Sequence, residues 1–198
     1  MRGYKLGRRQ AAVDRTRARI LKAARALLGA RGSTEFSIDA VAQRARVTRA
    51  TVYQRFGSRP KLLQALFDDL AREGGMWDLR KAFALPDPDM ALEKFVATFA
   101  HFWTVHRAIQ RRVIGLGALD TELGRTLVER QEWRRGALNT IVQRFGIAKA
   151  AHADAVDVLF TLTSFQTFDM LAGAKRTPED VLPQVLQLAR AVLGRPDA

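Results

Sequence analysis

The chain has 198 residues, no cysteine and a formal net charge of +13 at neutral pH. With 47% hydrophobic and 27% charged residues, its composition is that of a folded protein and excludes a wholly disordered chain. The net positive charge lies in one region, because residues 1–61 hold 16 Lys and Arg against 3 Asp and Glu, whereas residues 62–198 hold 17 of each. This split indicates an N-terminal part that binds a polyanion and a neutral remainder with other partners.

The N-terminal elements are predicted to be helices with clear caps. Residues 1–13 are expected to form a basic arm, followed by a helix over residues 14–31. Ser37 and Thr48 are good N-caps for two short helices, the second of which ends at Gly57.

The rest of the chain is predicted to consist mainly of longer helices, at roughly 89–106, 108–117, 120–145, 152–173 and 178–193. Pro183 removes one backbone hydrogen bond early in the last of these, which predicts a kink or a delayed start. The expected fold is all-α with about nine helices. Its expected parts are the arm, a three-helix helix-turn-helix domain at 14–60 and a C-terminal domain at 61–198.

No stretch of the sequence has the length and apolarity of a signal peptide or a membrane span. The longest segments without Asp, Glu, Lys or Arg are residues 95–106 and 158–168. We therefore expect a cytoplasmic protein with no membrane partner. No metal or cofactor is expected, because cysteine is absent and His101 and His106 are poorly spaced for one helix face.

The segment from Ser37 to Phe56 reads as two short helices joined by a turn, which is the pattern of a helix-turn-helix. On a helical wheel, Val52 and Phe56 point inward, whereas Ala50 and Gln54 point away from them. A slim, hydrogen-bonding outer face is what a helix needs to enter a major groove. The alternative is a helical hairpin whose basic face is only solvated.

The sequence from Phe36 to Arg59, FSIDAVAQRARVTRATVYQRFGSR, resembles the signature of the tetracycline-repressor (TetR) family, roughly T-x-x-x-I-A-x-x-A-G-V-S-x-G-T-x-Y-x-x-F-x-S-K. The resemblance covers about 55 residues, including the preceding helix. Arg46 and Ala50 stand where the family usually has glycine, so Arg46 must tolerate a glycine-like backbone or the turn must differ. Arg59-Pro60 replaces the usual Lys-Glu and keeps the positive charge.

The resemblance implies a role for each matching position. Base edges are the expected targets of Arg49, Ala50 and Gln54, with Arg49 suited to guanine and Gln54 to adenine. Phosphate contacts are expected from Ser37, Thr48, Thr51, Tyr53 and Arg59. We add Arg46 as an extra cation beside the recognition helix, and Lys61 as a weaker candidate. The arm, with Arg2, Lys5, Arg8 and Arg9, is either a minor-groove or phosphate contact or a solubilising tail.

Aromatic and polar residues alternate in the neutral part, where the family has its effector pocket. Most of these aromatic residues are expected to form core. Buried polar groups need partners, and a ligand is one possible partner. The candidate ligand-binding residues are Phe99, Trp103, His106, Phe165, Gln166 and Asp169.

The last helix has apolar residues on more than one face, which calls for cover on two sides. The cover is either the rest of a monomer or a second subunit. The resemblance implies a homodimer through the last two helices, about residues 152–193.

The predicted function is that of a transcriptional repressor. It binds a palindromic double-stranded DNA operator as a homodimer and is released by a small-molecule effector bound in the C-terminal domain. One alternative is a DNA-binding regulator whose C-terminal domain only dimerises or contacts proteins. An enzyme is not expected, because the sequence has no nucleophile motif, glycine-rich phosphate loop or metal-ligand cluster. Short capped helices also disfavour a membrane-surface helix.

Overall fold

The computed structural model describes residues 2–30 and 36–195, and the side chains of residues 10–30 and 36–195. Over these residues the fold contains α-helices and 3-10 turns and no strand, which confirms the all-α prediction. The eleven α-helices of this part are α1 (Arg2–Gly29), α2 (Ile38–Ala45), α3 (Arg49–Phe56), α4 (Arg59–Glu73), α5 (Leu79–Ala84), α6 (Pro88–Val105), α7 (Arg107–Gly117), α8 (Thr121–Val142), α9 (Lys149–Leu162), α10 (Phe165–Ala172) and α11 (Leu182–Val192).

The first helix begins at Arg2, so the segment expected to be an arm is continuous with the helix predicted for residues 14–31. The side chains of residues 1–9 lie outside the described part. The predicted arm contacts of Arg2, Lys5, Arg8 and Arg9 therefore stay predictions.

Two other differences explain why the helices outnumber the expected nine. The helix predicted over residues 152–173 is divided, because the Ser164 hydroxyl accepts a hydrogen bond from the Thr167 N–H and caps α10. The segment after α4, expected to be a connector, contains α5. Pro183 lies in the first turn of α11, after a 3-10 turn at Glu179–Val181. The delayed start predicted for this helix is thus confirmed.

The chain divides into two compact units. The N-terminal unit consists of Met1–Asp69 and Arg111–Thr126, and the C-terminal unit consists of Leu70–Gln110 and Leu127–Ala198. The predicted domain boundary lies at residue 60, with all later residues in one domain. Helices α4, α7 and α8 each contribute residues to both units.

Each unit has its own apolar core. In the N-terminal unit α1 packs on α2 and α2 on α3, and the core side chains include Ile20, Leu28, Val41, Val52 and Leu66. Full burial of one such side chain contributes about 1.5–3 kcal/mol. In the C-terminal unit α5, α10 and α11 pack on α6, whose aromatic side chains form the centre. No helix of the described residues is long and apolar enough to cross a membrane.

Candidate nucleic-acid interface

The two short helices begin at the predicted caps. Ser37 has extended backbone, and its hydroxyl accepts a hydrogen bond of 3.2 Å from the Ala40 N–H at the start of α2. Thr48 is also extended and accepts one of 3.1 Å from the Thr51 N–H at the start of α3. The Thr48 and Thr51 hydroxyls lie 2.9 Å apart. The cap therefore places two hydroxyl groups at the N-terminus of α3, where oxygen atoms of an anion are favoured.

The turn between the helices depends on Arg46, which adopts the left-handed conformation with φ 52° and ψ 50°. Among the described residues it alone has a positive φ without being glycine. Its N–H caps the carboxyl end of α2, and its side chain is exposed. The turn thus keeps the geometry that suits glycine, at an energetic cost, and gains a cation beside α3.

Helix α3 has the inward and outward faces that the wheel predicts. Val52 and Phe56 are 1% and 6% exposed, whereas Ala50 and Gln54 are exposed. Tyr53 is exposed on the flank. The outer face is therefore slim at its centre and carries hydrogen-bonding groups at its edges.

Arg49 is exposed and held by neighbours on both short helices. Its Nη1 lies 2.9 Å from Asp39 Oδ2, and its Nη2 donates to the Tyr53 hydroxyl at 3.4 Å. The hydrogen bond with Tyr53 and the charge of Asp39 raise the pKa of Arg49, so the guanidinium is fully charged at neutral pH. An exposed pair of this kind contributes little stability, and it can open when a stronger partner approaches.

Arg59, predicted to contact phosphate, is occupied within the N-terminal unit. Its Nε and Nη2 donate to the Phe36 carbonyl oxygen at 3.1 and 2.9 Å. The same guanidinium is paired with the carboxylates of Asp120 and Glu122. Burial opposes the charged form, but hydrogen bonds to both carboxylates overcome it and raise the pKa of Arg59. Arg59 thus joins the segment before α2 to the start of α8, and its DNA contact stays a prediction.

The remaining DNA-binding candidates are accessible to different degrees. Ser37 and Thr51 are half-buried, and Thr48 and Lys61 are exposed together with Arg46, Arg49, Ala50, Tyr53 and Gln54. The site thus consists of a capped helix with two hydroxyls at its start, an exposed arginine in its first turn and further cations close in sequence. Sequence-specific DNA binding requires such a set, because phosphate contacts position a protein and base contacts specify the sequence.

Residues 20–66 match the family model described as bacterial regulatory proteins, tetR family. The matched segment contains α2 and α3, the two helices of the helix-turn-helix. This segment is thus similar to the DNA-binding region of TetR-family regulators.

Individual regulators are also similar to this chain. The chain is 29% identical over 106 residues to the HTH-type transcriptional repressor NicS of Pseudomonas putida, a match that covers 54% of this chain and 50% of that protein. It thus spans about half the length of the curated relative that it matches. A TetR-like transcriptional regulator from Rhodococcus sp. RHA1 superposes with a TM-score of 0.61 at 21% identity, covering 90% of this chain and 96% of that chain. A second transcriptional regulator from that source gives a TM-score of 0.65 at 15% identity, covering 92% and 98%. These two likenesses concern the fold alone.

Four of the six candidate ligand residues lie in one aromatic cluster of the C-terminal unit. The ring of Trp103 lies 5.7 Å from Phe99 and 5.7 Å from Phe165. Phe102, 4.9 Å from Trp103 and 5.0 Å from His106, connects His106 to the cluster. The candidates Phe99, Trp103, His106 and Phe165 are all buried.

The other two ligand candidates, Gln166 and Asp169, are in different surroundings. Gln166 is exposed. Asp169 is paired with Arg107 at 2.5 Å, and Arg107 also donates to the carbonyl oxygens of Gly173 and Arg176. Asp169 therefore anchors the end of α10.

Three charged residues that form contacts in the structure are not among the predicted site residues. Asp39 is a rare acid in a cationic segment, which is a weak signal, and Asp120 pairs with a residue 61 positions away, which no local pattern shows. Arg134 lies on the apolar stripe of α8, between Leu123 and Leu138, so a helical wheel of α8 would have marked it as buried.

Proposed function

We propose that the protein is a repressor that binds a palindromic operator as a homodimer and is released by a small molecule bound in the C-terminal unit. The observation that carries this proposal is the outer face of α3, with Arg49 at its first turn and no bulky side chain at its centre. Each subunit inserts α3 into a major groove, and half-sites then lie about 34–36 Å apart. Repression follows if the operator overlaps a promoter.

Recognition begins with exchange of the partners of Arg49. In the free protein Asp39 holds one edge of the guanidinium. A guanine offers O6 and N7 to the same group in a bidentate arrangement. The hydroxyls of Thr48 and Thr51 then reach phosphate oxygens, while Arg46 and Lys61 add charge without reading sequence.

The exposed apolar side chains of the last helices support the dimer. Val158 on α9, Met170 on α10 and Leu188 on α11 are 44%, 76% and 49% exposed. Side chains of this size gain about 25 cal/mol per Å² when a partner covers them. A second subunit that covers these side chains satisfies the two-fold symmetry that a palindromic operator requires.

The small-molecule effector has a rival explanation. Phe99, Trp103, His106 and Phe165 are buried among themselves, which favours a regulator whose C-terminal unit only dimerises. An effector releases DNA only by as much as its affinities for the bound and released conformers differ. Dissociation of the operator complex by a bound compound distinguishes the two.

Selection of random duplexes by the full-length protein tests the proposed function. The expected product is an inverted repeat, bound by two chains per duplex when mass is measured by light scattering. With about 6–10 phosphate contacts, affinity falls about 10³–10⁵-fold between 50 and 200 mM salt. A failure to enrich any motif, or binding of one chain per duplex, contradicts the proposal.

A further inference from the structure

Arg134 is the one charged residue among the described residues whose side chain is almost wholly buried, at 2% exposure. Four of its five N–H groups have acceptors, and all of these are neutral. Nη1 donates to the Phe160 carbonyl oxygen at 2.7 Å and to the Thr163 hydroxyl at 2.6 Å. Nε and Nη2 both donate to the Gln131 amide oxygen, at 3.1 and 2.8 Å.

No carboxylate of the described residues forms an ion pair with Arg134. Its neighbour Arg135 is a second cation, and the nearby Asp157 is already paired with Arg135. Burial, followed by the charge of Arg135, lowers the pKa of Arg134 to about 9. The guanidinium therefore still carries its charge at pH 7, in a place where an unpaired charge is unfavourable.

The edge of the guanidinium formed by Nε and Nη2 is the edge that a carboxylate binds with two parallel hydrogen bonds. In this structure one neutral oxygen, from Gln131, receives both donors. Gln131 is half-buried, so its side chain has solvent to move into. A carboxylate in its place supplies two acceptors and the missing negative charge.

The surroundings of this edge are aromatic. The guanidinium carbon lies 4.0 Å from the Phe160 ring centre and 5.9 Å from that of Phe99. Thr163 joins Arg134 to the aromatic cluster, because its hydroxyl accepts from Arg134 and its carbonyl oxygen accepts from the Trp103 indole N–H at 3.2 Å. The cation thus lies at one end of the cluster that contains four of the six candidate ligand residues.

We propose that Arg134 is the anion-binding residue of the effector site and that the effector is a small carboxylic acid with an aromatic or aliphatic body. Its carboxylate displaces the Gln131 amide oxygen from Nε and Nη2, and its body packs against Phe99 and Phe160. A phosphate ester fits less well, because the second guanidinium on the Phe160 ring, that of Arg135, is already paired with Asp157 and leaves one guanidinium for a dianion. This inference rests on the proposed effector-controlled function.

Calorimetric binding of matched probes to the full-length protein tests the inference. The probes are benzoate, naphthoate and octanoate, each compared with its carboxamide, which has the same shape and no charge. At least one acid is expected to bind with a Kd below about 1 mM and at least about tenfold more tightly than its amide. Binding of no acid, or equal binding of acid and amide, overturns the inference.

Variants test whether the Arg134 guanidinium causes the preference for the acid over its amide. Arg134→Met is expected to reduce the acid-to-amide ratio to below about threefold, and Arg134→Lys to retain part of it. Arg135→Met is the matched control and keeps the ratio, because Arg135 is paired with Asp157. Should Arg134→Met fail to fold, Arg134→Lys and Gln131→Ala replace it. Gln131→Ala is expected to bind the acid at least as tightly as the wild type, and loss of acid binding in that variant overturns the inference.

Release of the selected operator separates this inference from the function on which it rests. If the wild type binds its operator and only neutral compounds release it, the inference fails and the effector-controlled function stands. If the acid binds through Arg134 and leaves the operator complex intact, the proposed release by effector fails while the anion site stands.

Discussion

Two buried or half-buried arginines, one in each compact unit, differ in what neutralises their charge. Arg59 in the N-terminal unit is 21% exposed and is paired with two carboxylates and a carbonyl oxygen. Arg134 in the C-terminal unit is 2% exposed and has no carboxylate partner among the described residues. The first arrangement is complete and cross-links its unit. In the second, the Nε and Nη2 edge of Arg134 meets one neutral oxygen and no carboxylate, which is why we propose that a ligand carboxylate binds there.

The largest expected effect on stability follows from breaking the ion pairs of Arg59. Asp120→Asn leaves Arg59 partly buried with one carboxylate, and we expect the free energy of unfolding to fall by about 2 kcal/mol. Thermal unfolding should then occur about 4–8 °C lower for a chain of this size. The control is Asp39→Asn, whose carboxylate is 65% exposed in its pair with the 58% exposed Arg49, so its loss should leave the melting temperature nearly unchanged. Equal melting temperatures of the two variants would show that Arg59 is not a cross-link.

Low pH should remove the stabilisation by the Asp120–Arg59 ion pair from the wild type. Burial alone raises the pKa of Asp120, but the hydrogen bonds from Arg59 and the Leu123 N–H outweigh it and lower the pKa below its ordinary value of 3.8. The stabilisation is therefore present above that value and is lost as the pH falls through the lower folded-state pKa. Denaturant unfolding from pH 7 to pH 3 should show the wild type converging on Asp120→Asn. A constant difference across this range would contradict the assigned ion pair.

A smaller effect, here a gain in stability, is expected at the turn of the helix-turn-helix. Arg46→Gly relieves the left-handed backbone and should stabilise the protein by about 1 kcal/mol. The same change removes one cation beside α3, so the slope of log affinity against log salt should fall by about 1 per subunit. Arg46→Ala is the control, because it loses the cation and keeps the strain. A salt slope unchanged in both variants would exclude Arg46 as a phosphate contact.

The smallest expected change in stability is at Arg134, which has no carboxylate partner among the described residues. Arg134→Met removes a buried charge together with its hydrogen bonds to neutral acceptors, and these two effects oppose each other. We expect the free energy of unfolding, measured in denaturant, to change by less than about 1 kcal/mol. A loss as large as that of Asp120→Asn would mean that Arg134 is a structural residue like Arg59, and the contrast between the units would disappear.

The local parts of the fold could be predicted from the sequence, because they depend on neighbours in the chain. Ser37 and Thr48 cap helices through N–H groups three residues ahead, and the spacing of Val52 and Phe56 sets the inner face of α3. The distant parts could not be predicted in this way. Asp120 reaches Arg59 only after folding, and Asp169 meets Arg107 across 62 positions. Ser164 is a residue type that caps helices, but the apolar residues around it favoured one unbroken helix over residues 152–173.

We propose that Arg49 contacts a base edge, whereas the neighbouring side chains on α3 contact phosphates of the DNA backbone. Equilibrium binding of wild type, Arg49→Ala and Tyr53→Phe to the selected operator and to a shuffled duplex tests it most directly. Arg49→Ala should reduce the ratio of the two affinities by about 5–150-fold per half-site, the value of one bidentate contact of about 1–3 kcal/mol. Tyr53→Phe should weaken both duplexes alike. If Arg49→Ala also weakens both by the same factor, Arg49 does not read sequence and the account is wrong.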